Sequence, residues 1–206
     1  MAMKRHIAVV AIGYVVGLLA YPNLPGPFLH ERLSARIMVA FTLPTTALVI
    51  YTLFRSLWTH DRIRSGNGAF EATYHAIVLR MLLFVVGLHA LVMVVLTDAM
   101  DAAGLRLSPE RAVVVLFGAT LVAIGNLLPR TRPNVAVGLR TTRTLANPQL
   151  WQHVHRTSGY ATVGLGIVIA ITGLVLTHET VGGVVSAAAL LAALMVFVAY
   201  RTHARA

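Results

Sequence analysis

The side chains best suited to chemistry lie in one polar segment between two apolar runs. Residues 129–156, which we call the basic segment, contain five arginines and two histidines but no acidic residue. Guanidinium groups alternate with hydroxyls in the run Arg140-Thr141-Thr142-Arg143-Thr144. Guanidinium groups bind phosphate and carboxylate through paired, charge-assisted hydrogen bonds. The segment is therefore predicted to bind an anionic group or an acidic partner.

A topological role is the alternative interpretation of the same arginines. Basic residues beside membrane helices fix orientation and contact anionic lipid, each contributing about 1 kcal/mol at the surface. The order of residues favours binding, because two prolines bracket Arg130 and Arg132, and Gly138 precedes Arg140. The residues predicted to bind are Asn126, Asn134, Arg140, Thr141, Arg143, Thr144, Asn147, Trp151, His155 and Arg156.

Catalytic patterns are not found in the sequence. It has no paired carboxylates, no Ser-His-Asp set and no metal-binding helix motif. Asp61 and Glu71 are the only acidic residues predicted on the cytoplasmic side that could act as a general base. The absence of cysteine excludes disulfides and thiol chemistry. The sequence thus predicts a non-enzymatic protein without a metal or a cofactor.

Two histidines within one apolar run provide an alternative. His75 and His89 are 14 residues apart, which places them about 40° apart around a helix. This spacing is compatible with two haem groups near opposite membrane surfaces, as in a haem b-binding redox protein. The favoured interpretation of His89 is a helix–helix hydrogen bond inside the bundle.

Arg80 lies inside the same apolar run. An ionisable side chain is costly there and is a candidate functional group, although it lies close enough to the polar end to snorkel. A sharper alternative is that Arg80 reaches Asn126 or the basic segment and shapes an anionic pocket. Such a pocket would suit a protein that handles anionic lipids or solutes.

Membrane helices must position these residues. The chain is 57% hydrophobic and 12% charged with a mean hydropathy of +0.77, outside the range of soluble domains. Most of its apolar runs are close to the roughly 20 residues that cross a bilayer. They lie at 7–21, 37–54, 76–96, 112–128, 159–176 and 181–200. We therefore predict an all-α membrane protein with six transmembrane helices.

Two details refine this prediction. The first run also resembles a secretory signal, but no small-x-small cleavage site follows it, so a retained anchor is favoured. Ser108 and Asn147 each precede a proline and are predicted to cap a helix. The helix that begins at Pro148 is expected to continue to about Leu176.

The distribution of charge predicts the orientation. With the N-terminus in the cytoplasm, the inner segments hold 12 basic and 2 acidic residues, and the outer segments hold 4 basic and 5 acidic residues. By the positive-inside rule both termini are cytoplasmic, and the basic segment is a cytoplasmic loop between the fourth and fifth helices. Residues 1–72 form a two-helix part with an inner loop, and residues 73–206 form a four-helix part.

Residues 125–160 resemble the hallmark segment of the bacterial SdpI-type family. The family pattern is Gly-Asn at a helix end, Pro-basic, Pro-Asn, a Gly-basic-Arg-Thr-like core, Thr-Leu, an Asn or Ser, Trp and His-Arg. The matching residues are Gly125, Asn126, Pro129, Pro133, Asn134, Gly138, Arg140, Thr141, Thr144, Leu145, Asn147, Trp151, His155 and Arg156. Thr142-Arg143 replaces the usual Pro-Trp, and His30 is followed by Glu31-Arg32 where the family has an extended outer loop.

The resemblance implies a multi-pass protein of the bacterial cytoplasmic membrane with an immunity or signalling role. Its members are implied to give resistance to a membrane-active peptide toxin and to bind a transcriptional regulator. The expected partners are therefore membrane lipids, a secreted toxin peptide and a cytoplasmic regulator, with no direct contact to nucleic acid.

Overall fold

The computed structural model describes residues 2–24, 33–65, 70–99, 108–175 and 178–203, and these ranges contain no strand. Seven α-helices are present there: α1 Ala2–Ala20, α2 Leu33–Ser65, α3 Glu71–Leu96, α4 Pro109–Gly125, α5 Thr142–Ala146, α6 Pro148–Val175 and α7 His178–His203. Within these ranges, six helices are long and apolar enough to cross a membrane, and all but α5 contribute. The prediction of an all-α protein with six membrane-spanning helices is confirmed.

Each membrane-length helix begins before the apolar run that predicted it. α6 begins at Pro148 and has 28 residues, about 42 Å at 1.5 Å per residue. This exceeds the roughly 30 Å of a hydrocarbon core, so α6 is longer than a membrane crossing requires. The predicted start of this helix at Pro148 is confirmed.

The bundle is built from two neighbouring groups of helices. α1, α2 and α3 all contact one another, α3 contacts α4, α4 packs along α6, and α6 contacts α7. A Cβ atom added to Gly118 of α4 would lie 2.6 Å from the carbonyl oxygen of Gly166 in α6. Glycine is therefore needed where these two backbones approach most closely. Gly164 of α6 has open space around it and takes no part in this contact.

The two predicted caps have different outcomes. The Asn147 Oδ1 atom accepts hydrogen bonds from the backbone N–H groups of Gln149 at 2.9 Å and Leu150 at 3.0 Å, which caps α6. Ser108 precedes α4 with an extended backbone, but its hydroxyl makes no capping hydrogen bond. The Ser108 prediction is wrong because the buried hydroxyl does not reach the first turn.

One end of the bundle carries the residues between α4 and α6. Trp58 of α2 and Tyr74 of α3 are buried in a hydrophobic cluster with Leu127 and Val137. The start of α1 lies at the same end, where the ring centroids of His6 and His75 are 5.3 Å apart. We call this end of the molecule the basic end. It consists of residues 126–147 and the helix termini that they contact.

Candidate functional site

The basic segment is folded onto α6. Trp151 is 1% exposed, and its Nε1–H group lies 3.2 Å from the Thr131 carbonyl oxygen and 3.3 Å from the Thr131 hydroxyl oxygen. The Thr131 hydroxyl in turn donates to the Leu128 carbonyl at 2.7 Å. Trp151 therefore ties the beginning of the segment to the first turn of α6.

His155 provides a second connection between the segment and α6. Its ring stacks on Trp151 with the centroids 3.8 Å apart. Its Nδ1 atom lies 2.9 Å from the Trp151 carbonyl oxygen, and its Nε2 atom lies 2.9 Å from the Leu139 backbone nitrogen. Because a carbonyl only accepts and an amide only donates, these bonds assign a neutral imidazole with hydrogen on Nδ1. Both ring nitrogens of His155 are thus used inside the protein.

Gly138 allows this contact to form. Its φ angle is +107°, a conformation that favours glycine, and its α-carbon faces the His155 ring. A Cβ atom at this position would overlap the Nε2 atom and lie 2.7 Å from the Cδ2 atom of His155. Gly138 was not among the residues predicted for the site. An isolated glycine within a polar segment indicates a turn, and this signal could have identified Gly138.

Asn134 organises the centre of the segment. Its side chain is buried, and its Nδ2 group donates to the carbonyls of Arg132 at 2.7 Å and Val137 at 3.1 Å. Its Oδ1 atom accepts from the backbone N–H groups of Ala136 at 2.9 Å and Val137 at 2.7 Å. These four bonds use both donors and both acceptor positions of the amide. Asn134 therefore holds the backbone in one conformation.

A capping box begins α5. The Thr141 hydroxyl oxygen accepts from the Thr144 backbone N–H group at 3.1 Å, and the Thr144 hydroxyl oxygen accepts from the Thr141 backbone N–H group at 2.9 Å. The Thr144 hydroxyl also donates to the Leu139 carbonyl at 2.8 Å, and Thr144 is fully buried. These hydroxyls hold backbone groups of the segment.

The arginines of the segment have a different environment. Arg140, Arg143 and Arg156 are exposed. Arg140 donates to the Val135 carbonyl, and the Arg156 Nε group donates to the Tyr160 hydroxyl at 3.3 Å. None of the three has a carboxylate within 4.0 Å among the described side chains. Their remaining donors are available to a partner.

Arg132 is held against the bundle. Its guanidinium carbon lies 4.5 Å from the Phe70 ring centroid, a cation–π contact. Its Nη1 group donates to the Pro133 carbonyl at 3.1 Å. Arg132 thus connects the segment to the beginning of α3.

The predicted binding residues therefore separate into two groups. The first group forms the internal framework of the segment and consists of Asn134, Thr141, Thr144, Asn147, Trp151 and His155. The second group is exposed at the surface and consists of Asn126, Arg140, Arg143 and Arg156. The arrangement can bind an anionic partner through the second group, while the first group fixes its shape.

Arg80 faces another part of the basic end. Its Nη1 group donates to the Ala76 carbonyl of its own helix at 2.9 Å. No hydrogen bond joins it to Asn126 or to the basic segment among the described residues. Arg80 instead lines a cavity beside α1 together with Arg5.

The two histidines of α3 both face α1. His75 lies beside His6, and its Nε2 atom is 3.8 Å from the Glu71 Oε1 atom. His89 is fully buried beside the backbone of Gly13. Neither ring nitrogen of His89 has good hydrogen-bond geometry within the described part of the chain. The expected contact between two helices is present, because His89 faces the Gly13 backbone of α1.

A bundle of apolar, membrane-length helices with a folded polar cap defines a multi-pass helical membrane protein. Residues 130–201 match the model of the SdpI/YfhL protein family. Over this stretch, which includes most of the basic segment, α5, α6 and most of α7, the chain is similar to the SdpI/YfhL family. No curated protein and no solved structure matches the chain. The resemblance found in residues 125–160 is confirmed.

Proposed function

We propose that the chain is a non-enzymatic immunity or signalling protein of the SdpI type, located in the bacterial cytoplasmic membrane. It gives resistance to a membrane-active peptide toxin, binds a cytoplasmic regulator, or does both. The observation that carries this proposal is the rigid basic segment, in which buried polar groups are bonded internally and arginines remain exposed. The segment lies within the part of the chain that matches the family, apart from Pro129.

The framework of the segment supports binding because it reduces the entropy lost on association. A surface that already has its bound conformation does not spend binding free energy on ordering its backbone. Asn134 alone makes four hydrogen bonds to the segment. Arg140, Arg143 and Arg156 are therefore presented from a fixed backbone.

The exposed arginines determine what kind of partner fits. The segment contains no acidic residue, so its field attracts surfaces rich in carboxylate or phosphate. Arginine forks bind such groups with defined geometry. A regulator or peptide with an acidic patch has the required chemistry. The positive-inside rule places this surface in the cytoplasm, where a regulator can reach it.

Partner capture from native membranes tests the proposal. The full chain is compared with a variant that combines Arg140→Gln, Arg143→Gln and Arg156→Gln. We expect a specific acidic protein or peptide to be captured by the wild type and lost from the triple variant. The matched control is Arg201→Gln, an exposed arginine outside the basic segment, which should retain the partner. Identical captured proteins with all three chains would refute the proposed role of the segment.

A further inference from the structure

A cavity of about 450 Å³ lies between α1 and α3 at the basic end. Two arginines, Arg5 of α1 and Arg80 of α3, line it together with His6 and His75. Two alanines and a leucine of α3 complete its wall. The cavity thus combines cationic groups from two helices with an apolar side, and its volume is typical of small-molecule sites.

The Arg80 guanidinium reaches into this cavity because of its direction along the helix. Side chains in a helix point toward its N-terminus. The bond from Arg80 to the Ala76 carbonyl shows that the guanidinium lies one turn nearer the basic end than its own α-carbon. A charged side chain within a membrane helix is usually retained for pairing or for function.

Arg5 approaches the cavity from α1. The adjacent His6 is 2% exposed. Its Nε2 group donates to the His75 carbonyl at 3.0 Å. This bond joins α1 to α3 beside the cavity, so its walls are formed before any ligand arrives.

The two guanidinium groups have no opposite charge between them. No carboxylate lines the cavity among its described residues. Glu71 lines a neighbouring cavity with Trp58, and its carboxylate is half exposed. Two like charges that line one cavity repel one another, and an anion bound between them replaces this repulsion with attraction.

We propose that this cavity binds a phosphate-bearing anion, either an anionic lipid headgroup or free phosphate. A phosphate has enough oxygen atoms to accept hydrogen bonds from both guanidinium groups at once. Basic pockets between membrane helices on the cytoplasmic side are suited to lipid headgroups. Arg5 and Arg80 lie outside residues 130–201, so this proposal does not depend on the proposed function.

Native mass spectrometry of the detergent-purified full chain tests the proposal, with phosphatidylglycerol, phosphatidylcholine and inorganic phosphate as probes. We expect Arg5→Gln and Arg80→Gln each to weaken binding by roughly tenfold, the usual effect of losing a charged hydrogen-bond partner. Arg80→Lys keeps the charge and should lose less than Arg80→Gln. Arg130→Gln removes an exposed arginine outside the cavity and should leave binding unchanged.

The probes also distinguish the source of the anion. Preference for phosphatidylglycerol over phosphatidylcholine supports a lipid headgroup. Binding of inorganic phosphate without a preference between the lipids supports free phosphate. The proposal is overturned if neither anion binds, or if Arg130→Gln weakens binding as much as the cavity variants. Arg5 is exposed near the start of α1, so Arg5→Gln remains a valid test even if Arg80→Gln does not fold.

Discussion

Replacement of Gly138 by alanine should unfold the basic segment locally while leaving the membrane helices intact. Gly138 has a φ angle of +107°, and a side chain in such a conformation costs about 1–3 kcal/mol. The new Cβ atom would also displace the His155 ring. The Leu139 N–H group, which is only partly buried, would then lose its acceptor, at a cost of about 1–2 kcal/mol. The expected loss of local stability is about 2–5 kcal/mol.

Amide hydrogen exchange followed by mass spectrometry measures this loss in detergent. A local destabilisation of about 2–5 kcal/mol should speed exchange of the amides in residues 131–145 by roughly thirtyfold or more. Amides of α6 beyond Gly159 should exchange at wild-type rates. Gly164→Ala is the matched control, because Gly164 has open space around it. Wild-type protection of residues 131–145 in Gly138→Ala would refute the role assigned to this glycine.

Three further changes test the framework and the bundle. Asn134→Ala removes four hydrogen bonds and should speed amide exchange in the segment about as strongly as Gly138→Ala; unchanged exchange would contradict its organising role. Trp151→Phe removes the bond to Thr131 and should cost about 1 kcal/mol of segment stability by the same measurement; a loss above roughly 3 kcal/mol would show that ring packing dominates. Gly118→Ala pushes α4 away from Gly166 and should lower the melting temperature in detergent; an unchanged melting temperature would show that the helices can separate without cost.

The helices were predictable because hydropathy reports directly on membrane burial. Asn147-Pro148 also gave the correct start of α6, since a cap depends on neighbouring residues only. The length of α2 was underestimated, because Leu33–Ser65 continues into polar residues that carry no hydropathy signal. Helix ends beyond the membrane are set by local hydrogen bonds and by packing against the basic end.

The sequence predicted which residues belong to the site better than it predicted what each residue does there. Trp151 was predicted as a binding residue, yet its side chain is buried and its indole bonds to Thr131, 20 residues earlier. Spacing along a helix does not reveal a partner that comes from a folded segment. The same reason explains why Gly138 was missed, since its importance depends on His155 lying opposite.

The central claim is that the basic segment is a rigid framework that presents arginines to an acidic partner. The most direct test measures partner capture and amide exchange on the same preparation of the triple variant Arg140→Gln, Arg143→Gln and Arg156→Gln. We predict that the partner is lost while residues 131–145 remain protected as in the wild type. Retention of the partner, or loss of the partner together with protection, would contradict the claim.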